Sequence, residues 1–135
     1  MFIIQGWGTD QRVWPQWLKD SGTCYSKNLP QFQVVEQEFL QYFSVKQKKL
    51  TILGWSLGSM LALELAHKHG DKIAQLVLIS PTAKFISSGD YEVGLPSGVL
   101  KNLQRKLSRN KEVTQQSFYS LMFSYSEDNF RHNFI

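Results

Sequence analysis

Cysteine is almost missing from this chain, with Cys24 standing alone among 135 residues. A disulfide within the chain and a four-thiolate metal site are therefore both excluded, and a lone thiol fits a reducing compartment. Long apolar runs are missing too. Phe2-Ile3-Ile4 is too short for the core of a secretory signal, and no stretch approaches the roughly 20 apolar residues of a membrane-spanning helix. These absences lead to the expectation of a cytoplasmic protein with no membrane partner. Nor is there a large excess of either charge. A net charge of +4 permits acidic partners without demanding them. Repeats and low-complexity segments are also lacking, so the chain reads as an ordinary globular domain.

What is present supports a real core. Hydrophobic residues make up 42 % and aromatics 13 % of the chain, which argues against disorder, and the length suits one domain rather than two. Phe2-Ile3-Ile4 predicts a buried strand that ends at Gly6-Trp7-Gly8. Val13, Trp14, Trp17 and Leu18 predict a short amphipathic turn or helix after Asp10. Thr23 to Asn28 predicts a second strand, stopped by Pro30. A helix is expected from about Phe32 to Phe43, with Val35, Phe39, Tyr42 and Phe43 as its apolar stripe.

A third strand, Lys48 to Leu53, runs into Gly54. A helix follows from Leu57 to about His69, with Gly70 as its stop. Leu76-Val77-Leu78-Ile79 predicts a fourth strand, ended by Pro81. Strands that alternate with helices and read as continuous apolar runs predict an α/β fold, a parallel sheet covered on both faces. Beyond Pro81 the character changes. Gly, Pro and Ser punctuate residues 86–98, and then two helical stripes follow: Val99, Leu100, Leu103 and Leu107, then Val113, Phe118, Leu121 and Met122. Residues 1–82 are read as sheet core and 83–135 as the beginning of a helical cap.

The segment Leu50-Thr51-Ile52-Leu53-Gly54-Trp55-Ser56-Leu57-Gly58 carries the chemistry. It is a strand feeding Gly-x-Ser-x-Gly and then, at once, a helix. A nucleophilic serine needs that arrangement. A tight, strained turn lifts the hydroxyl above the sheet, and glycines two positions before and after let strand and helix approach closely. The helix N-terminus then favours negative charge developing on a carbonyl oxygen. The bland alternative is a strand-to-helix turn with an incidental serine, and the flanking strand and helix weigh against it. Gly6-Trp7-Gly8 is the second element. A loop after an early strand supplies one N–H of an oxyanion hole and the residue after the serine supplies the other, which would be Trp7 and Leu57. An ordinary glycine turn packed by an aromatic is the alternative there.

With Val13-Trp14 added, these two motifs resemble the α/β-hydrolase superfamily. Within it the chain is most similar to the pimeloyl-[acyl-carrier-protein] methyl ester esterases of biotin synthesis. The likeness continues through Ala66-His67-Lys68-His69-Gly70-Asp71-Lys72-Ile73 and Leu76-Val77-Leu78-Ile79-Ser80, and into Leu107-Ser108 and residues 118–123. It implies an α/β-hydrolase fold of which this chain is the N-terminal part, with the start of a helical cap. It implies Ser56 as nucleophile, Trp7 and Leu57 as backbone oxyanion donors, and Trp7 and Trp55 as the lining of an acyl pocket. The sequence departs from the family at Gln5, where the family usually carries His before the glycine of the oxyanion loop.

A serine nucleophile needs a base. His67 and His69 follow Ser56 at the far end of its own helix, about 16–20 Å away at 1.5 Å per residue. They read as helix-terminal histidines. His132 could serve only if its segment folded back, and Asp90, in Ile86-Ser87-Ser88-Gly89-Asp90, reads as a turn residue. The triad acid and base are therefore expected beyond Ile135, in a longer enzyme of which this is a fragment. A degenerate product and a second chain supplying the missing groups are the alternatives. No cofactor is implied, and no histidine has partners at metal-ligand spacing.

Lys101, Arg105, Lys106, Arg109 and Lys111 fall in eleven residues without an acid. Lys101, Arg105 and Arg109 are four apart and share one helical face. That face is either a solvated surface or a docking strip for an acidic protein, and the resemblance implies an acyl carrier protein. Nucleic acid is not expected, because no aromatic residues interleave the run. The function expected is hydrolysis of a small acyl ester through an acyl-enzyme on Ser56, with a carrier-protein-bound methyl ester as the best single substrate. The rivals are an inactive binding protein and another superfamily member, such as a lipase, lactonase or thioesterase.

Overall fold

The structure is a computed structural model that describes residues 1–25, 31–123 and 127. It divides into two compact units, Met1–Ala83 and Lys84–Ile135. The first is built on a four-stranded parallel sheet in the order β2-β1-β3-β4. Its strands are β1 (Phe2–Ile4), β2 (Thr23–Tyr25), β3 (Leu50–Trp55) and β4 (Ile73–Ile79). A 3₁₀ turn at Gln11–Val13 and helix α1 (Gln16–Asp20) link β1 to β2; α2 (Phe32–Lys46) leads to β3, and α3 (Leu57–His69) links β3 to β4.

Alternation along each strand sorts the side chains onto two faces. Phe2 and Ile4 of β1 join Leu50 and Ile52 of β3 in a cluster with Val35 and Phe39 of α2 and Leu61, Ala62 and Leu65 of α3. Ile3 and Leu53 face the other way, onto Trp14 and Leu18. The sheet is thus covered on both sides at β1 and β3, whereas β4 has no buried residue and its Ile79 is exposed, so its apolar run does not mark burial. Phe2 meets Phe39 edge-on at 5.7 Å between ring centroids.

The ends of elements differ from expectation for reasons of pairing. β3 omits Lys48 and Lys49 but extends through Gly54 and Trp55, because those two residues pair with Leu78 and Ile79 of β4. β4 starts three residues earlier than its apolar run, at Ile73, because Ile73 and Gln75 pair with Leu50 and Thr51 of β3, the register shifting between those two pairs so that Ala74 has no partner across the ladder. α2 runs on to Lys46, where Gln47 takes a left-handed φ of 48° and returns its N–H to the Phe43 carbonyl at 2.8 Å. Gly70 is not a left-handed stop. Its φ is −58°, and the chain continues as a 3₁₀ turn, Gly70–Lys72. The part of the expected second strand beyond Tyr25 lies outside the described residues.

The second unit begins with a looped segment closed by bridges between Ile86 and Leu95 and between Ser88 and Tyr91. Helices α4 (Ser97–Arg109) and α5 (Lys111–Ser120) follow. Asn110 separates them and caps α5, accepting from the Val113 N–H at 3.1 Å. The expected stripe of α5 is only partly covered. Val113 and Leu121 are exposed, Leu121 lies past the helix end, and the buried residues are Thr114 and Tyr119. Among the described residues no helix is long and apolar enough to cross a membrane.

Phe39 is fully buried at the centre of the larger cluster. Phe39→Ala is expected to lower the unfolding free energy by about 3–5 kcal/mol in urea titration, whereas Trp17→Ala, at a site 71 % exposed, is expected to change it by no more than about 0.5 kcal/mol.

Candidate active site

Ser56 lies between the last residue of β3 and the first of α3, with φ 54° and ψ −118°. A positive φ is strained for any residue but glycine, and such a conformation costs on the order of 1–3 kcal/mol unless the surroundings enforce it. Here they do. The Ser56 N–H donates to the Ile79 carbonyl at 3.0 Å, tying the bend to the end of β4, and the Ser56 carbonyl accepts the Ser59 N–H at 2.9 Å. The Ser56 side chain is half-buried and makes no capping bond to its own helix.

The two flanking glycines are needed for space. A Cβ on Gly58 would lie 2.1 Å from the Ile4 carbonyl oxygen, and one on Gly54 would lie 2.6 Å from the Gly58 carbonyl oxygen. α3 therefore presses its first turn onto the ends of β1 and β3. Leu57 is the first residue of that turn, where an N–H has no acceptor within the helix.

Sheet register brings the second motif to the same place. Ile4 pairs with Gly54, so two residues further along, Gly6 stands beside Ser56. A Cβ on Gly6 would be 3.3 Å from the Ser56 Cβ and 3.4 Å from the Trp55 ring. Trp7 follows at once, partly exposed. Trp55 is also partly exposed, its ring set edge-on against Trp14 at 5.9 Å. The turn leaves through Asp10, which accepts from the Arg12 N–H at 2.9 Å. The Arg12 guanidinium holds the Asp10 carboxyl below its ordinary pKa, against the opposing effect of burial.

Two residues, Ser59 and Thr9, escaped sequence reasoning, and a third, Gln5, was noted only as a departure from the family. Ser59 is fully buried and donates its hydroxyl to the Gly54 carbonyl at 2.8 Å and the Ile79 carbonyl at 3.1 Å, joining the ends of β3 and β4 beneath the serine. Thr9 is buried against the Gly6 carbonyl. Gln5 is buried to 1 % exposure, and neither atom of its carboxamide has a partner among the described residues. Small polar residues inside apolar stretches were the available signal, but their acceptors are remote in sequence.

The other candidate residues lie elsewhere. His69 is held at the C-terminal end of α3 by Glu36 of α2, 2.7 Å from Nε2 to Oε1, with its ring near Phe39. His67, two residues earlier in α3, is exposed. Asp90 sits in an exposed turn and accepts the Ser88 hydroxyl at 2.6 Å, a bond that lowers its pKa. His132 lies outside the described residues. Lys101, Arg105 and Arg109 are all exposed on α4, with Arg105 donating to Asn102 Oδ1 at 2.9 Å. Among the described residues, no group of three His, Cys, Asp or Glu could hold a metal ion.

Residues 36–130 match the family model for the alpha/beta hydrolase fold. The chain belongs to the α/β-hydrolase fold family. Its curated relatives include pimeloyl-[acyl-carrier protein] methyl ester esterases. That of Nitrosomonas europaea is 32 % identical over 83 residues, covering 62 % of this α/β hydrolase and 33 % of that protein. That of Legionella pneumophila strain Lens is 26 % identical over 139 residues, covering 97 % and 58 %. An esterase from Exiguobacterium antarcticum superposes with a TM-score of 0.72 at 16 % identity, over 98 % of this chain and 59 % of that one, and so shares the fold. The chain thus spans between a third and about three-fifths of these proteins' lengths.

Ser59→Ala is expected to lower stability by about 1–2 kcal/mol through loss of the hydroxyl that joins the two strand ends. Gly58→Ala, which forces a side chain into the β1 backbone, is expected to cost about 3 kcal/mol or more. Thermal unfolding of the two variants beside the wild type checks the order.

Proposed function

We propose that this α/β hydrolase supplies the nucleophile of a carboxylic ester hydrolase, with Ser56 attacking the ester carbonyl. The observation that carries the reading is the strained serine at φ 54° with the Gly6 turn against it. In this reading the Ser56 oxygen bonds to the carbonyl carbon while a base takes the hydroxyl proton. The Trp7 and Leu57 N–H groups receive the negative charge on the carbonyl oxygen. Collapse of the tetrahedral intermediate expels the alcohol, which leaves with a proton, and water then releases the acid from the acyl-serine. None of these steps needs a cofactor. Neither His67 nor His69, at the opposite end of α3, is placed to act as the base. The reading therefore concerns the whole enzyme rather than this chain alone, with unit Lys84–Ile135 as the start of a cap.

The relatives' names support a methyl ester of an acyl group carried on acyl carrier protein as the substrate. Trp7 and Trp55, beside the serine, would line the acyl pocket. The exposed Lys101, Arg105 and Arg109 on α4 would meet the acidic carrier protein. A cytoplasmic location accords with that partner and with the lone thiol Cys24.

In the whole enzyme, with the segment that supplies the base, a fluorophosphonate is expected to label Ser56 and to leave Ser56→Ala unlabelled. Absence of labelling in the full-length protein would favour an inactive binding protein, the reading suggested by the distance of His67 and His69 from Ser56. Reversing the charge at Lys101, Arg105 and Arg109 together is expected to raise KM for a carrier-protein-bound ester about tenfold at low salt, with the difference shrinking as salt is added. KM for a small free ester should stay unchanged in the same variant.

A further inference from the structure

The turn that carries Trp7 is closed on a single acceptor. Thr9 donates its hydroxyl to the Gly6 carbonyl at 2.9 Å and its backbone N–H to the same oxygen at 3.4 Å. The second bond lies beyond the usual N–H···O range of about 2.7–3.2 Å, so the hydroxyl is the stronger hold. Thr9 is only 5 % exposed, which shields that bond from competing water. Gly8, third in the Gly6–Thr9 turn, has φ 73°, as a type II turn requires at that position.

A trans peptide is planar, with its carbonyl and N–H pointing in opposite directions. Holding the Gly6 oxygen towards Thr9 therefore turns the Trp7 N–H to the opposite side of the same plane. Gly6 itself lies against Ser56. We propose that Thr9 is a positioning residue, whose hydroxyl fixes the Gly6–Trp7 peptide so that the Trp7 N–H is aimed where charge develops during attack by Ser56. The inference rests on the reading of Ser56 as nucleophile. It adds a side chain that acts through the backbone donor without touching the substrate.

Two readings on the same variants test it. In ¹⁵N-labelled protein, Thr9→Val keeps the shape but removes the hydroxyl; it is expected to move the Trp7 amide resonance and speed its exchange with solvent, and Thr9→Ser to restore both. A folded Thr9→Val protein with an unaltered Trp7 amide overturns the proposal whatever its activity. With a fluorophosphonate, Thr9→Val is expected to slow the chemical step of Ser56 labelling about tenfold while leaving the affinity for the probe unchanged, with rescue by Thr9→Ser. Full-rate labelling of Thr9→Val overturns the positioning role and leaves Ser56 as nucleophile. If Thr9→Val does not fold, loss of labelling in Thr9→Ser overturns it instead, because that variant keeps the hydroxyl. With all labelling done on the whole enzyme, a wild type that takes no label overturns the reading on which the inference rests, and the two failures are thereby told apart.

Discussion

Ser56 occupies a backbone conformation that an L-residue avoids, and much of the first unit is arranged to hold it there. The restraint comes mainly from the Ile79 carbonyl, which accepts both the Ser56 N–H and the Ser59 hydroxyl. That carbonyl is available only because β4 lies beside β3 with Trp55 opposite Ile79. Strain of this kind persists when surrounding contacts over-determine the geometry. The serine's conformation therefore depends on the paired sheet, whose interior is the apolar cluster that includes Phe2, Ile52, Phe39 and Leu65.

The same dependence holds on the other side of the serine. Gly6 reaches Ser56 because parallel pairing of β1 with β3 sets Ile4 against Gly54, and Thr9 then pins the turn from behind. Close approach of α3 to β1 at Gly58 adds a steric limit that a single methyl group would break. A backbone N–H is fixed in direction once its planar peptide is pinned, which is what the proposed oxyanion donors would require.

The helices of the second unit follow a different logic. α4 buries none of its residues, and its cations line an exposed face. α5 is held at its start by Asn110 and near its end by Tyr119, whose hydroxyl accepts from Gln115 at 2.6 Å. Apolar periodicity alone overstated the burial here, since Leu121 remains 85 % exposed and Val113 56 % exposed. A short helical segment offers too few neighbours to cover every apolar residue that its period selects.

Local chemistry made the centre of this protein legible before any coordinates. A β-rich apolar run meeting Gly-x-Ser-x-Gly and then an amphipathic helix places the bend at Ser56, and the α3 bounds of Leu57 and His69 follow from residue pattern alone. Phe2–Ile4 reads as a strand for the same reason, since short-range preferences there agree with the final fold. Tertiary structure decided what depends on partners distant in sequence: that β3 reaches Trp55, that β4 begins at Ile73, and that His69 belongs to Glu36. It also gave Ser59 and Thr9 their meaning, because a hydroxyl's role is set by the carbonyl it finds. Ser59 finds one 20 residues away, on a strand that only sheet pairing brings within 3.1 Å.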